Sequence, residues 1–197
     1  MKLSIVILNW NGKLLLKKFL PEIILYTPYT PIYVVDNASE DDSIEFLKKE
    51  YKEINVIKLS KNIGYAKAYN SALKKIDSDV YCLINNDVMV NKNWTTPIMS
   101  AFNNKKVDIA QPLLLDFNNK DKFEYAGAAG GYIDKFGYPF CRGRIFDNIE
   151  TNFGQYDNSI DIFWASGACM FVNKKCWKSL EGFDEDFFMH QEEIDFC

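Results

Sequence analysis

The chain has 197 residues, which is the size of one ordinary domain and enough to bury roughly 70% of the surface that the unfolded chain exposes. Hydrophobic residues make up 48% of the sequence and charged residues 25%, a balance that excludes a disordered or fibrous protein. A net charge of -4 gives no electrostatic basis for general nucleic-acid binding, so we expect no nucleic-acid partner.

Four strand-and-loop units follow one another in the first half of the chain. Short apolar runs rich in β-branched residues predict strands, and amphipathic segments between them predict helices. The predicted strands are residues 3–8, 32–36, 55–59 and 80–84. The predicted helices are residues 13–24, 43–51 and 65–75. This alternation predicts an α/β fold with a mainly parallel central sheet flanked by helices, in which ligands bind beyond the carboxyl ends of the strands.

The second half of the chain departs from this pattern. From about Phe117 the sequence becomes rich in aromatic residues and glycine, which predicts irregular loops or short antiparallel strands. No linker-like stretch separates the two halves, so we expect a single domain over residues 1–197.

The cysteines and the apolar runs indicate in which cellular compartment the protein is expected. The five cysteines lack close-paired spacing, which predicts incidental or buried thiols rather than a disulfide framework or a zinc site. The apolar run at residues 3–8 is too short for a signal peptide, and no other run is long enough to cross a membrane. We therefore expect a soluble protein of the cytoplasm.

Asn85, Asn86 and Asp87 come directly after the fourth predicted strand, where their side chains would project into the ligand crevice. Oxygen ligands of this kind suit Mg²⁺ or Mn²⁺, which take their remaining ligands from phosphates and water. A cation there would neutralise the charge on a departing diphosphate. The same three residues are equally compatible with an ordinary turn after a strand.

Asp36 and Asn37 end the second predicted strand and precede a helix. They can bind the edge of a pyrimidine and a ribose, or the segment can simply cap the helix through Ser39, Asp41 or Asp42, and the two roles are compatible. Gly64 follows the third predicted strand, where it permits a tight turn or the close approach of backbone to a ligand.

Acidic residues alternate with aromatic ones at the end of the sequence. Glu192, Glu193 and Asp195 are close enough for one to act as a general base while the others bind water or metal. The alternative is an acidic first helical turn that complements the helix dipole. His190 is the only histidine, and its position beside Met189 favours a structural role.

Six segments in sequence order resemble the inverting glycosyltransferases of family 2, which have the GT-A (Rossmann-like) fold, and most closely the rhamnosyltransferase-like members. The segments are SIVILNWNG (4–12), VVDNAS (34–39), NIGYA (62–66) with Asn70, LINND (83–87), SGA (166–168) and GFD through EEID (182–195). Each segment alone is a weak signal, but six in the right order over nearly the whole chain are specific.

The resemblance implies roles for named residues. Asp36 and Asn37 would contact the base region of the nucleotide, and Asp87 would belong to the motif that binds the metal and the diphosphate. Glu192 and Glu193 would occupy the acidic base position. The further residues assigned to nucleotide-sugar binding are Leu8, Asn9, Asn62, Gly64, Asn70 and Asn86. The implied cofactor is Mg²⁺ or Mn²⁺.

Two positions depart from the family pattern. The metal motif is Asn-Asn-Asp instead of Asp-x-Asp, which leaves Asp87 as its one carboxylate, so metal affinity would rest largely on the diphosphate. The base motif is Glu-Glu where the family has Glu-Asp. Glu193, with its longer reach, is therefore the candidate base, and Asp195 is the fallback.

The resemblance also divides the chain. Residues 1–115 would bind the nucleotide sugar, and residues 116–197 would bind the acceptor and carry the base. Because the family's chains continue well past this point, we expect a chain truncated at its C-terminus that binds donor yet turns over poorly. The acceptor would be a saccharide or a lipid-linked saccharide, which implies peripheral association of the full-length protein with the inner face of the membrane.

The expected reaction is transfer of a sugar from a dTDP- or UDP-linked donor, with rhamnose as a candidate sugar, during surface polysaccharide synthesis. One alternative is a sugar nucleotidyltransferase, but the segment 8–12 lacks the glycine-rich phosphate loop and basic residue that it needs. The other is a catalytically inactive nucleotide-sugar-binding module, which the imperfect acidic motifs leave open.

Overall fold

The structure is a computed structural model that describes residues 1–104, 107–125 and 127–197. The strands are β1 (Leu3–Asn9), β2 (Ile32–Asp36), β3 (Asn55–Lys58), β4 (Val80–Asn85), β5 (Ile109–Ala110), β6 (Gly131–Ile133), β7 (Pro139–Cys141), β8 (Arg144–Ile145), β9 (Asn148–Ile149) and β10 (Cys169–Asn173). The helices are α1 (Lys13–Tyr26), α2 (Ser43–Glu50), α3 (Tyr65–Leu73), α4 (Thr96–Asn104), α5 (Lys174–Ser179) and α6 (Glu192–Phe196). The strands and helices predicted for the first half are confirmed, with ends that agree to within about two residues.

The main sheet has the strand order β3-β2-β1-β4-β10-β5. The first four strands in that order are parallel, whereas β10 is antiparallel to both β4 and β5. This arrangement confirms the predicted α/β class with a mainly parallel sheet.

Both faces of the main sheet are covered, which is why its central strands are continuous apolar runs instead of alternating ones. Ile5 and Ile7 of β1 pack in one core cluster with residues of α1 and α2. Val6 packs on the opposite face, in a second cluster that includes residues of α3, α5 and α6. The sheet is therefore a rigid base for the loops at its edge.

The carboxyl edge of the sheet is fixed by the strand registers. Asn9 is level with Asp36, and Leu8 is level with Asn85. Because β10 runs antiparallel to β4, with Cys169 level with Ile84, β10 starts at the same edge. The turn formed by residues 166–168 thus lies beside the ends of the parallel strands.

A second sheet of four short antiparallel strands, β6-β7-β8-β9, follows in the second half of the chain. It covers a small core around Phe123 and Trp164. A Cβ at Gly131 would overlap the Trp164 ring, so the glycine allows β6 to lie directly against the indole. Both the short antiparallel strands and the irregular loops predicted for this half are present.

In the part of the chain that the structure describes, no helix is long and apolar enough to cross a membrane.

Candidate active site at the carboxyl edge of the sheet

Asn9 connects the ends of three strands. Its amide group donates to the Asp36 carboxylate and to the Ser39 hydroxyl, both at 3.3 Å. Its side-chain oxygen accepts from the Asn86 amide at 2.9 Å. Asn9 is completely buried, so these contacts form the floor of the crevice between β2, β1 and β4.

Gly12 lies directly against this floor. A Cβ at this position would overlap the Asn86 amide nitrogen and the Asn9 side-chain oxygen. The backbone of Gly12 is not in the left-handed region, so close approach alone accounts for the glycine. This close contact at Gly12 was not predictable from the segment 4–12 in which it lies.

Asp36 has no exposed surface. One carboxylate oxygen accepts from Asn9, and the other accepts from the Ser39 backbone N–H at 3.1 Å. In this arrangement Asp36 supports the crevice floor, and its direct contact with a nucleobase stays a prediction.

Asn37 connects the end of β2 to the loop before α3. Its amide donates to the Asn62 side-chain oxygen at 2.9 Å and to the Gly64 carbonyl at 3.2 Å, and its own oxygen accepts from the Ile63 N–H at 3.0 Å. Gly64 has a φ of 81°, which favours glycine. The predicted donor-binding residues Asn37, Asn62 and Gly64 are thus brought together in one hydrogen-bonded unit.

Trp10, which follows the last residue of β1, is exposed to solvent. Its side chain is 57% exposed, although its neighbour Asn9 is buried at the end of β1. The loop beneath it is held in place, because the Asn11 N–H donates to the Ser39 hydroxyl at 2.9 Å and the Asn11 side chain accepts from the Glu40 N–H at 2.7 Å. Trp10 is therefore an exposed aromatic residue next in sequence to the buried crevice residue Asn9, and no sequence motif indicated a role for it.

Asp87 lies two residues beyond Asn85, whose N–H donates to the Ala168 carbonyl at 3.0 Å. The side chain of Asp87 is exposed, and none of the described residues gives it a hydrogen bond or an ion pair. The described ranges also contain no group of three or more His, Cys, Asp or Glu side chains that could hold a metal ion. One free carboxylate fits Mg²⁺ or Mn²⁺ when a bound diphosphate and water supply the other ligands.

Glu192 and Glu193 lie at the start of α6. Burial raises the pKa of both carboxyl groups, and the proximity of Glu193 raises that of Glu192 further. For Glu193 this is opposed by its own backbone N–H, by the charge of His190 and by the backbone N–H groups of Gly167 and Gln191, all of which lower the pKa. Within the described residues, one oxygen of each carboxyl group is buried without a partner. A buried, unpaired carboxylate is a stronger proton acceptor than an exposed one.

Asp195 lines a cavity to which Glu192 and Glu193 do not contribute. It is exposed and lines a space of about 530 Å³ together with Asn70, Lys74 and Glu185. This location separates the fallback base from the Glu192–Glu193 pair.

Asn70 lies on the wall of that cavity, with its amide engaged by a neighbouring loop. The amide donates to the Phe183 carbonyl at 2.8 Å and to the Glu185 carboxylate at 3.2 Å, and its oxygen accepts from the Phe183 N–H at 3.0 Å. The structure therefore gives Asn70 a scaffolding contact, and its predicted contact with the donor stays a prediction.

The turn 166–168 lies between the strand end that precedes Asp87 and the Glu193 carboxyl group. The Ser166 N–H donates to the Gln111 side chain at 2.7 Å, and the Tyr65 hydroxyl donates to the Gly167 carbonyl at 2.7 Å. Asn85 holds the turn from the Asp87 side, and the Glu193 carboxylate approaches Gly167 from the other. Tyr65 and Gln111 were missed by the sequence analysis, because their partners lie far along the chain.

The mainly parallel sheet with its flanking helices is the GT-A fold. The profile of glycosyl transferase family 2 matches residues 4–174, and the chain belongs to this family. Both the family and the fold implied by the sequence motifs are confirmed.

Two curated relatives align along nearly the whole chain. The low-salt glycan biosynthesis hexosyltransferase Agl10 of Haloferax volcanii is 23% identical over 99% of this chain and 60% of its own length. The N-acetylglucosaminyl-diphospho-decaprenol L-rhamnosyltransferase of Mycobacterium tuberculosis is 22% identical over 98% of this chain and 68% of its own length. The chain thus spans about two thirds of the length of these relatives.

A solved structure shows the same fold. The mannosyltransferase PcManGT from Pyrobaculum calidifontis, in complex with GDP-Man and Mn²⁺, superposes with a TM-score of 0.67 at 14% identity. The match covers 99% of this chain and 50% of that protein.

Proposed function

We propose that this chain carries the donor site and the catalytic base of an inverting glycosyltransferase that uses a nucleoside-diphosphate sugar. The observation that carries the proposal is the Glu193 carboxylate, which has one oxygen free of described partners and lies at the same turn, 166–168, that contacts the strand end preceding Asp87. A proton acceptor and a free acidic side chain at one edge are what such a displacement needs.

The reaction is a single displacement at the anomeric carbon. Glu193 accepts the proton of an acceptor hydroxyl while the hydroxyl oxygen forms a bond to that carbon. The bond between the anomeric carbon and the diphosphate breaks, and its electron pair leaves with the diphosphate. Attack from the face opposite to the leaving group inverts the configuration.

Glu193 is favoured over its acidic neighbours for a geometric reason. Glu192 is only 3% exposed, so a hydroxyl of an acceptor has little access to it. Asp195 lines the separate cavity beside Asn70. Glu193 is half-buried, its carboxyl group lies close to Gly167, and one of its oxygens has no partner among the described residues.

Asp87 would hold Mg²⁺ or Mn²⁺ together with the donor diphosphate. When bound, the cation supplies charge neutralisation for the departing diphosphate. On the protein side, Asn86 and Asn9 keep the end of β4 against the end of β1, so Asp87 starts from a fixed position.

The donor is proposed to be dTDP- or UDP-linked, with rhamnose as a candidate sugar. One aligned relative is named as an L-rhamnosyltransferase and another as a hexosyltransferase of glycan biosynthesis, which supports a hexose-type sugar. The acceptor is proposed to be a saccharide or a lipid-linked saccharide, used in surface polysaccharide synthesis. A lipid-linked acceptor would place the protein in the cytoplasm at the inner face of the membrane.

The donor half of the proposal is tested by calorimetry of the chain with UDP and with dTDP, each with and without Mn²⁺. We expect Mn²⁺-dependent binding of one nucleotide, and loss of the Mn²⁺-dependent part in Asp87→Asn. Asp147→Asn is the matched control, because Asp147 is also exposed and lies in the turn between β8 and β9. Equal Mn²⁺ dependence in both variants would contradict the role of Asp87.

The catalytic half is tested by sugar transfer in Glu193→Gln and Glu192→Gln. We expect Glu193→Gln to lose on the order of 10²- to 10⁴-fold in kcat, the range that general-base catalysis contributes. Full activity in Glu193→Gln would remove it as the base. Donor binding without any turnover of the wild-type protein would instead favour an inactive binding module.

A further inference from the structure

We infer that Tyr65 is a positioning residue for Glu193: its hydroxyl fixes the turn 166–168, and that turn presents the Gly167 N–H to the Glu193 carboxylate. The inference rests on the proposed role of Glu193 as the base. Its two links are the hydrogen bond from the Tyr65 hydroxyl to the Gly167 carbonyl at 2.7 Å and the close approach of the Glu193 carboxyl group to Gly167, whose backbone N–H lowers the pKa of that carboxyl.

The Tyr65 phenol and the Glu193 carboxyl group both approach Gly167, which has no side chain. A Cβ on Gly167 would lie 3.1 Å from the Tyr65 hydroxyl and 3.8 Å from the carboxyl carbon of Glu193. The phenol and the carboxyl group therefore both lie close to the Cα of Gly167. A shift of the Gly167 backbone would move the N–H that orients Glu193.

The direction of the Tyr65 hydrogen bond leaves Glu193 free to act. A phenol has one proton to donate, and this proton goes to the Gly167 carbonyl, not to the carboxylate. Burial raises the pKa of Tyr65 well above its usual value, and the nearby carboxylates of Glu192 and Glu193 raise it further. The Tyr65 hydroxyl thus stays protonated, and remains a hydrogen-bond donor, throughout the pH range in which the protein is active.

Packing fixes the position of the hydroxyl. The Tyr65 ring meets Tyr69 edge-on at a centroid distance of 4.7 Å and lies 6.0 Å from the Phe183 ring. The Tyr65 backbone N–H donates to the Phe188 carbonyl at 2.7 Å. Because Tyr65 follows Gly64 directly, it connects the predicted donor loop to the base.

The test compares Tyr65→Phe with Tyr81→Phe. Tyr81 is a matched control, because its hydroxyl also donates to a backbone carbonyl, that of Ile76 at 3.1 Å, but near the amino end of β4. The titration of Glu193 is followed by carboxyl-carbon NMR of the ¹³C-glutamate-labelled chain, with Glu193→Gln used to assign the signal.

We expect Tyr65→Phe to raise the Glu193 pKa, since the freed turn no longer holds the Gly167 N–H on the carboxylate. Tyr81→Phe should leave it unchanged. A folded Tyr65→Phe protein with the wild-type Glu193 titration overturns the inference. Should that variant not fold, Gly167→Ala perturbs the same contact while keeping the hydroxyl, and an unchanged titration there overturns it equally.

Sugar transfer gives the second readout. We expect Tyr65→Phe to lower kcat by roughly tenfold or more without changing the KM for the donor, as a misplaced base would. An unchanged kcat in a folded Tyr65→Phe protein contradicts the positioning role. If Glu193→Gln is fully active, the proposed base is wrong, and the NMR titration still decides whether Tyr65 controls Glu193.

Discussion

The Asn86 amide donates to the Asn9 side-chain oxygen at 2.9 Å, and it does so directly against the backbone of Gly12. This contact joins the ends of β1 and β4, the two strands that carry the predicted donor and metal residues on either side of the crevice. The carboxyl edge is therefore held together by the protein's own side chains, because the buried Asn9 side chain pairs with the Asn86 amide.

We predict that Gly12→Ala destabilises the protein by about 1–3 kcal/mol, the range for forcing extra atoms into a packed site. The added methyl group would push Asn86 away from Asn9, so nucleotide affinity should fall as well. Chemical denaturation and calorimetry with UDP or dTDP measure the two effects.

The cause of this effect is tested by making Gly12→Ala in a protein that already carries Asn86→Ala. The Asn86→Ala substitution removes the Asn86 amide, one of the groups that the added methyl group would contact. In that background Gly12→Ala should destabilise the protein less than in the wild type. An equal effect in both backgrounds would show that crowding of Asn86 is not the cause.

Trp10 supports a prediction about the nucleotide. Its ring is exposed beside the buried Asn9, so a bound base can stack on it without any rearrangement of the core. Stacking of a base on an aromatic ring is worth roughly 1–3 kcal/mol. Trp10→Ala should therefore weaken binding of the nucleotide by about 5- to 150-fold, and Trp10→Phe should weaken it less.

Fluorescence and stability separate stacking from an indirect effect. The nucleotide should quench tryptophan emission in the wild type and not in Trp10→Phe. Because the side chain is 57% exposed, the free energy of unfolding of Trp10→Ala should stay within about 0.5 kcal/mol of the wild type. Unaltered affinity in Trp10→Ala would exclude stacking on this ring.

The first half of the chain was predictable because strand, loop and helix alternate there with clear periodicity. The start of α4 was hidden, because Thr96-Pro97 has the appearance of a break, although proline is well tolerated in the first turn of a helix. The position of β10 in the sheet was hidden as well, because its apolar run does not specify which strand it pairs with.

The residues of the candidate site were predictable only in part, because the sequence pattern places strand ends but does not specify which distant segments meet. Residues at strand ends, such as Asn9 and Asp36, are placed by the periodicity of the strands. The Tyr65–Gly167 contact joins residues 102 positions apart, and no local pattern encodes such a pairing. Likewise, the separation of Asp195 from Glu193 depends on how the short helix α6 is turned against its neighbours.

Glu192 gives a prediction about pH. Its folded-state pKa is raised by burial, so the folded protein binds this proton more tightly than the unfolded chain does. The stability contributed by the protonated group is present below the unfolded-state pKa and decreases as the pH rises through the raised folded-state pKa. Glu192→Gln, which mimics the protonated group, should therefore be more stable than the wild type at neutral pH.

The comparison is made by thermal unfolding at several pH values. The advantage of Glu192→Gln should disappear below the usual pKa of a glutamate, where the wild-type group is protonated as well. Glu40→Gln is the control, because Glu40 is exposed and should show no such crossover. A pH-independent difference between Glu192→Gln and the wild type would contradict the burial argument.

Asn70 distinguishes a scaffolding role from a donor-binding one. Removal of its amide in Asn70→Ala would leave the N–H and carbonyl of buried Phe183 without their side-chain partner. Each unsatisfied buried group costs about 1–3 kcal/mol, so we expect destabilisation of roughly 2–4 kcal/mol. Asn104→Ala is the control, because it removes an exposed amide that donates to the Ser100 hydroxyl at 3.1 Å. If Asn70 acts through the loop alone, the folded variant binds UDP or dTDP with wild-type affinity at low temperature. A selective loss of nucleotide affinity with unchanged stability would instead assign Asn70 to the donor site, as the family resemblance implies.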